Sequence, residues 1–230
     1  RAGRRRPGLT PAPDPEPIMF ESKSGIFFIA GIGFFLLAFL GNGAVPMIMY
    51  KDRHEQTAEE VVNKRLLNQF RDLAERYPAQ FEAAFGTVSV DTCAEALRLG
   101  RQIYVGEGCW HCHSQFVRPV SNESRRYGPV SKTQEYDNEL QRPVLFGTRR
   151  VGPDLSREGG RRGNDWHAVH FWKPTTVSHN SPMPEYPWFF DGGPDRPNRR
   201  GLALITYVQW LGSWLDEYPY YEELAEVRGE

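Results

Sequence analysis

The apolar and polar positions divide the chain into one unbroken apolar run, several segments with helical spacing, and a long stretch with neither. From Gly25 to Leu40 no side chain is polar, and the apolar character continues through Ala44 to Met49, interrupted mainly by Asn42. A membrane-crossing helix needs ~20 largely apolar residues to cover ~30 Å of hydrocarbon. Residues 25–50 are therefore read as a single transmembrane anchor. A secretory signal cut after Gly41 or Gly43 is the rival, but its apolar region would be only ~7–15 residues long. Beyond the run, Thr57 and Glu60 form a T-x-x-E capping box. It opens a helix whose apolar face runs Val62, Leu66, Phe70, Leu73 and Tyr77, and which ends at Pro78. Phe81 and Phe85 lie one turn apart on a second helix closed by Gly86. Residues 51–90 are thus expected to form a helical hairpin, a spacer whose faces are open to use as core or as a docking surface.

A second T-x-x-E box, Thr92 to Glu95, predicts the start of a helix with Leu97, Gly100 and Tyr104 on one face and Leu99 and Ile103 beside it. Gly100 on that face leaves room for another helix. Near the C-terminus, Gly201–Leu215 repeats Leu204, Tyr207, Val208, Leu211 and Leu215 at helical spacing, a stripe read as core. Between Ser114 and Pro197 the chain is rich in Gly, Pro and Arg with little periodicity, which suits long loops wrapped around a cofactor. The predicted class is all-α.

Composition adds boundaries. A chain of 230 residues holds one soluble domain plus an appendage. A net charge of -1 gives no sign of a nucleic-acid partner. The Arg- and Pro-rich stretch Arg1–Pro17 has the composition of a disordered tail, so residues 1–24 are assigned as linker, with Met19 an alternative start. Residues 91–217 are the soluble domain and 218–230 a tail. Arg5, Arg6 and Lys23 precede the span while Lys51, Arg53, Lys64 and Arg65 follow it, so basic residues give no vote on orientation. Three cysteines make no disulfide framework, and Cys93 reads as a small buried hydrophobe.

The other two cysteines carry the chemistry. Cys109-Trp110-His111-Cys112-His113 is C-x-x-C-H, the attachment sequence of haem c. Two thiols on one turn can add to the two vinyl groups of a porphyrin as thioethers, and the adjacent His113 can then reach the iron. A thioredoxin-type C-x-x-C sits near a βαβ pattern, which is absent here. A zinc site would need His167 and His170 as its second pair, tens of residues away against ~12–15 in a finger. An N-terminal helix entering the motif and a C-terminal helix crossing it make a class I-like cytochrome c domain. Covalent haem is attached on the outer face of energy-transducing membranes, so everything after Tyr50 is expected in the periplasm.

Met183 is the only methionine after the motif, and flanking prolines in Ser181-Pro182-Met183-Pro184 stiffen its loop. It is the expected second axial ligand, a soft sulfur that favours Fe(II) and raises the potential. Its rivals are His167, His170 and His179. The default role of His167 and His170 is hydrogen bonding near the haem or a subunit contact. Pro153, in Gly152-Pro153-Asp154-Leu155, is expected to offer its carbonyl to Nδ1 of His113. Arg118, Arg149 and Arg150 are candidates for pairing with haem propionates.

These strings together resemble a known family. Cys112-His113-Ser114-Gln115 with Arg118-Pro119, Arg126-Tyr127-Gly128, and Phe146-Gly147-Thr148-Arg149-Arg150-Val151-Gly152-Pro153-Asp154-Leu155 are similar to the mono-haem subunit of cbb-type cytochrome c oxidases, the CcoO/FixO family. So are Gly159-Gly160-Arg161, Trp166-His167 with His170, and Met183-Pro184 with Tyr186. The similarity covers the anchor and most of residues 94–215, whereas residues 57–86 look like an insertion and the Pro/Arg-rich N-terminus is atypical. The resemblance implies one covalent haem c, with Cys109 and Cys112 as thioethers and His113 and Met183 as iron ligands. It also implies a subunit of a C-family haem–copper oxidase in a bacterial cytoplasmic membrane. Such a subunit passes electrons from a di-haem cytochrome c subunit or a soluble cytochrome c to the catalytic subunit, where dioxygen is reduced. The chain itself is then non-catalytic. Two rivals keep the haem: a cytochrome subunit of another complex such as nitric oxide reductase, and a haem-based gas sensor.

Overall fold

A computed structural model describes residues 23–65 and 67–213, with the side chains of 63–67 and of Gln134 left aside. The expected tail through residue 22, Met19 included, lies outside them, as do Leu66, Leu215 and residues 218–230. The chain divides into two compact units, one ending at Arg53 and the other starting at His54. Among the described residues there is no β-strand, only the isolated bridges Gln56–Asn138 and Phe190–Pro197. The fold is all-α, as its periodicities predict.

The first unit is one helix, α1 (Lys23–Tyr50), long and apolar enough to cross a membrane. Its apolar side chains are exposed, Phe27 and Met47 by 75%, a pattern that water would penalise and hydrocarbon would not. Within it Leu40–Ala44 forms a π turn, in which the Val45 N–H donates to the Leu40 carbonyl. Pro46 explains the turn. It has no N–H to give to Asn42, and its ring would clash with that carbonyl in a regular helix.

The second unit begins with α2 (Ala58–Arg65), α3 (Leu67–Arg76) and α4 (Pro78–Phe85). The Thr57–Glu60 box forms: the Glu60 N–H donates to Thr57 Oγ1 at 3.3 Å and the Thr57 N–H to Glu60 Oε2 at 2.8 Å. Pro78 ends one helix by opening the next, at a position that needs no N–H. Val62, Phe70, Leu73, Tyr77, Phe81 and Phe85 are buried in the same apolar cluster as the helices that follow. The segment read as a spacer is therefore built into the core. Arg98 ties it further, binding Glu59 and Glu139.

Helix α5 (Val90–Gly106) is capped by Ser89, not Thr92. Ser89 Oγ accepts from the Thr92 N–H at 3.1 Å, and Thr92 Oγ1 accepts from the Ser89 N–H at 3.0 Å. Thr92 thus fills the third helical position of the box rather than its cap. After the one-turn helix α6 (Cys109–Cys112) comes α7 (Glu123–Tyr127), then loops, α8 (Asn164–Trp172) and α9 (Arg199–Trp210). Asn198 caps α9, accepting from the N–H groups of Arg200 and Gly201.

Helices α5 and α9 cross at Gly100. A Cβ there would stand 2.6 Å from Cβ of Tyr207 and nearer still to the Ala203 carbonyl oxygen. The two backbones meet where no side chain fits, which lets Leu97, Ile103, Tyr104, Leu204, Tyr207 and Val208 bury around the crossing. Replacing Gly100 with Ala forces the helices apart, an overpacking cost of about 1–3 kcal/mol. In thermal unfolding of the detergent-solubilised chain, the midpoint should fall by about 3–10 °C. An unchanged midpoint would mean that the helices do not meet at this residue.

Candidate functional site

Helix α5 delivers the motif through Gly108, whose φ of +71° turns the chain directly into α6. That left-handed conformation is open to glycine at little steric cost. The one-turn helix then puts Cys109 and Cys112 on successive turns of backbone, and both are free thiols. Burial pushes the Cys109 thiol up to about 12, with the nearby Glu107 charge adding to it. Cys93 is wholly buried and its thiol is likewise pushed up to about 12 by burial, as suits a packing residue.

The loop 145–155 is laced to the motif along its backbone. The Gln115 N–H donates to the Leu145 carbonyl at 2.9 Å, Arg149 to His111 at 3.1 Å, Gly152 to Cys112 at 3.1 Å, and Leu155 to Ser114 at 2.9 Å. This lacing brings Pro153 to His113, where its carbonyl oxygen lies 3.0 Å from Nδ1. A carbonyl only accepts, so Nδ1 carries the proton and Nε2 keeps its lone pair. Burial holds the imidazole below its ordinary pKa, outweighing the opposing effects of the Pro153 bond and the Asp154 charge. His113 is thus neutral with a free Nε2 lone pair, the form in which imidazole binds a metal.

Gly152 completes the seat. A Cβ at Gly152 would stand 2.6 Å from Nε2 of His113 and nearer still to Cε1, so the ring lies directly against glycine backbone. From the other side the Tyr104 hydroxyl donates to the His113 carbonyl. Tyr104 itself stands 5.5 Å from Tyr207 between ring centroids, so the helix crossing and the His113 turn share a side chain. Sequence spacing marked Tyr104 only as core, and Gly152 only as part of a string; a tyrosine next to a ligand turn is the signal that hinted at more.

The Met183 loop reaches the same place. The Tyr186 N–H donates to the Phe171 carbonyl of α8 at 2.9 Å, and the Tyr186 hydroxyl contacts the Cys109 thiol. Trp188 Nε1 donates to Glu107 Oε1 at 3.2 Å. Met183 packs half-buried against the core cluster, as do Cys109 and Trp110. His179 is exposed on a loop.

The arginines part ways. Arg118 and Arg150 both bind the buried carboxylate of Glu123, Arg118 through Nε at 2.7 Å and Arg150 through Nη2 at 2.7 Å. Arg150 also donates to Asp154 at 2.9 Å and to the Phe116 carbonyl at 3.1 Å, with its guanidinium 5.1 Å from the Tyr127 ring centroid. Burial would raise the Glu123 carboxyl, but the Arg118 bonds and the Arg150 charge outweigh it and hold the group below its ordinary pKa. These two guanidinium groups therefore have carboxylate partners within the protein. Arg149 is exposed.

The donor set fits a haem c: two free thiols one turn apart, a neutral imidazole locked by Pro153 and Gly152, and a thioether on a loop tied to the motif. Among the described residues there is no cluster of three or more His, Cys, Asp or Glu side chains suited to a metal ion.

The family model described as cytochrome c oxidase, mono-haem subunit/FixO, matches residues 77–200, more than half of the chain. The matched stretch contains the C-x-x-C-H turn, the loop 145–155 and Met183. No curated protein matches the chain.

Replacing Gly152 with Ala puts a methyl group into the space of the His113 ring. The expected outcome is retained covalent haem with a displaced proximal imidazole, read as a loss of low-spin absorbance in the ferric and ferrous spectra. A spectrum identical to that of the parent chain would mean that His113 does not rest on Gly152.

Proposed function

The chain belongs to the FixO family of mono-haem cytochrome c oxidase subunits, and we propose that it is the anchored haem c relay of such an oxidase. It takes electrons from a di-haem cytochrome c subunit or a soluble cytochrome c and passes them to the haem–copper catalytic subunit. The observation that carries this reading is the imidazole of His113, held neutral between the Pro153 carbonyl and Gly152 beside two free thiols.

Cys109 and Cys112 would hold the porphyrin as thioethers, and His113 and Met183 would ligate its iron. The haem supplies a one-electron couple. The protein's part is to keep both ligands in place in either oxidation state, so that little rearranges when the charge changes. The lacing of residues 145–155 to the motif serves that end, as does the attachment of the Met183 loop to α8. A thioether ligand favours the ferrous state and raises the potential, which suits a donor to a strong oxidant. Helix α1 anchors the chain in the bacterial cytoplasmic membrane with the haem domain on the periplasmic side. Dioxygen reduction belongs to the partner subunit.

The test is purification of the complex from solubilised membranes. A haem-stained denaturing gel should show covalent haem on this chain, and the partner bands should include a haem–copper subunit. Absence of that subunit would refute the oxidase assignment. In the Met183→Ala variant the haem should stay covalently bound while the ferrous iron gains CO binding that the parent lacks. Unchanged CO binding would remove Met183 from the ligand set.

A further inference from the structure

Among the buried polar atoms without a hydrogen-bond partner, which also include Gln115 Nε2, the Tyr127 hydroxyl and both amide atoms of Gln141, two are ring nitrogens on one helix. His167 is 1% exposed and its Nε2 has no hydrogen-bond partner among the described residues; Nδ1 of His170 is buried and equally without one. Buried polar atoms in folded proteins are almost always hydrogen-bonded, and leaving one unpaired costs about 1–3 kcal/mol. Both atoms lie on α8, three residues apart, the spacing that puts side chains on neighbouring positions of one helix face. Their partner is expected to arrive with something that binds between α8 and its neighbours.

The position of α8 says what that is. Its Phe171 carbonyl holds the Tyr186 N–H of the Met183 loop, and Tyr186 in turn contacts Cys109. After burial, the neighbour that bears most on His170 is the His113 imidazole. The helix therefore holds the Met183 loop, which reaches the motif through Tyr186. Its rings are fixed in place: Trp166 stacks on His170 with centroids 4.5 Å apart and planes 14° from parallel, and the Arg162 guanidinium lies 4.0 Å from the Trp166 centroid.

Resting on the haem reading above, we propose that His170 through Nδ1 and His167 through Nε2 donate hydrogen bonds to the haem propionate carboxylates. A haem c brings two anionic groups that need donors, and α8 has two buried nitrogens that need acceptors. Arg118 and Arg150 are already bound to Glu123 and Asp154. The histidines are positioning residues: they orient the porphyrin and offset propionate charge, which otherwise favours the ferric state. Burial, with smaller contributions from neighbouring imidazoles and from Arg162, holds His167 down at about 3 and His170 at about 4. Each ring is thus neutral before haem enters, with one N–H whose position the acceptor selects.

The test uses the full chain in its purified complex, with haem labelled by 13C at the propionate carboxyls. It has two readouts, spectroelectrochemical titration and redox-difference infrared spectra of the labelled bands. An asparagine amide falls where Nδ1 of histidine stood, and a glutamine amide where Nε2 stood. His170→Asn and His167→Gln should therefore stay near the parent. His170→Phe and His167→Phe should each lower the equilibrium constant for reduction about three- to tenfold and shift the carboxylate bands. Phenylalanine variants that load haem but leave potential and bands unchanged overturn the proposal. If they fail to load haem, the parent's spectrum decides, and carboxylate bands at the position of water-exposed propionates overturn it too. A parent chain without covalent haem would refute the function assignment instead, which haem staining reads separately.

Discussion

The site depends first on the crossing of α5 and α9 at Gly100, because that contact fixes where α5 ends. The backbones meet there with no side chain between them. Tyr104, one turn further along α5, is buried by the crossing, packs on Tyr207 and holds the His113 carbonyl. The same packing that stabilises the fold therefore positions the turn that carries His113. Tyr207 adds a second tie, donating to Gln115 Oε1 at 3.0 Å two residues past His113.

A second constraint acts on the ring itself. Five backbone hydrogen bonds lay residues 145–155 along the motif, and Pro153 and Gly152 then fix the tautomer and the face of His113. The buried Arg118–Glu123–Arg150–Asp154 network pins the two segments together at their far ends. Asp154 also accepts from the Phe116 N–H at 3.1 Å and the Ser156 N–H at 2.9 Å. Breaking one partner of such a network leaves an uncompensated buried charge, which costs more than the pair contributes. In this protein Arg118 and Arg150 serve the loop scaffold, while two buried ring nitrogens on α8 have no hydrogen-bond partner.

Much of this was legible in the chain. C-x-x-C-H, the glycine on the α5 face, the Thr57–Glu60 box and the apolar run each involve residues close in sequence, where spacing determines geometry. What was not legible depends on long-range pairing. Periodicity shows that Phe70, Leu73, Phe81 and Phe85 face something apolar, but not that it is the core of the haem domain. Arg150 finds Glu123 across a loop of irregular backbone, so its basic charge alone suggested a propionate. Thr92 fits a capping box with Glu95 on paper, yet Ser89 supplies the better extended cap three residues earlier. That His167 and His170 lack partners emerges only once every neighbouring group is in place.

The central claim is that one histidine nitrogen and one methionine sulfur hold the same iron. Iron K-edge X-ray absorption of the purified chain, in both oxidation states, tests it most directly. The account predicts a sulfur scatterer beside the nitrogens in the first shell, at nearly the same distance in ferric and ferrous protein. A first shell of nitrogen alone, or a sulfur that leaves on oxidation, would contradict it.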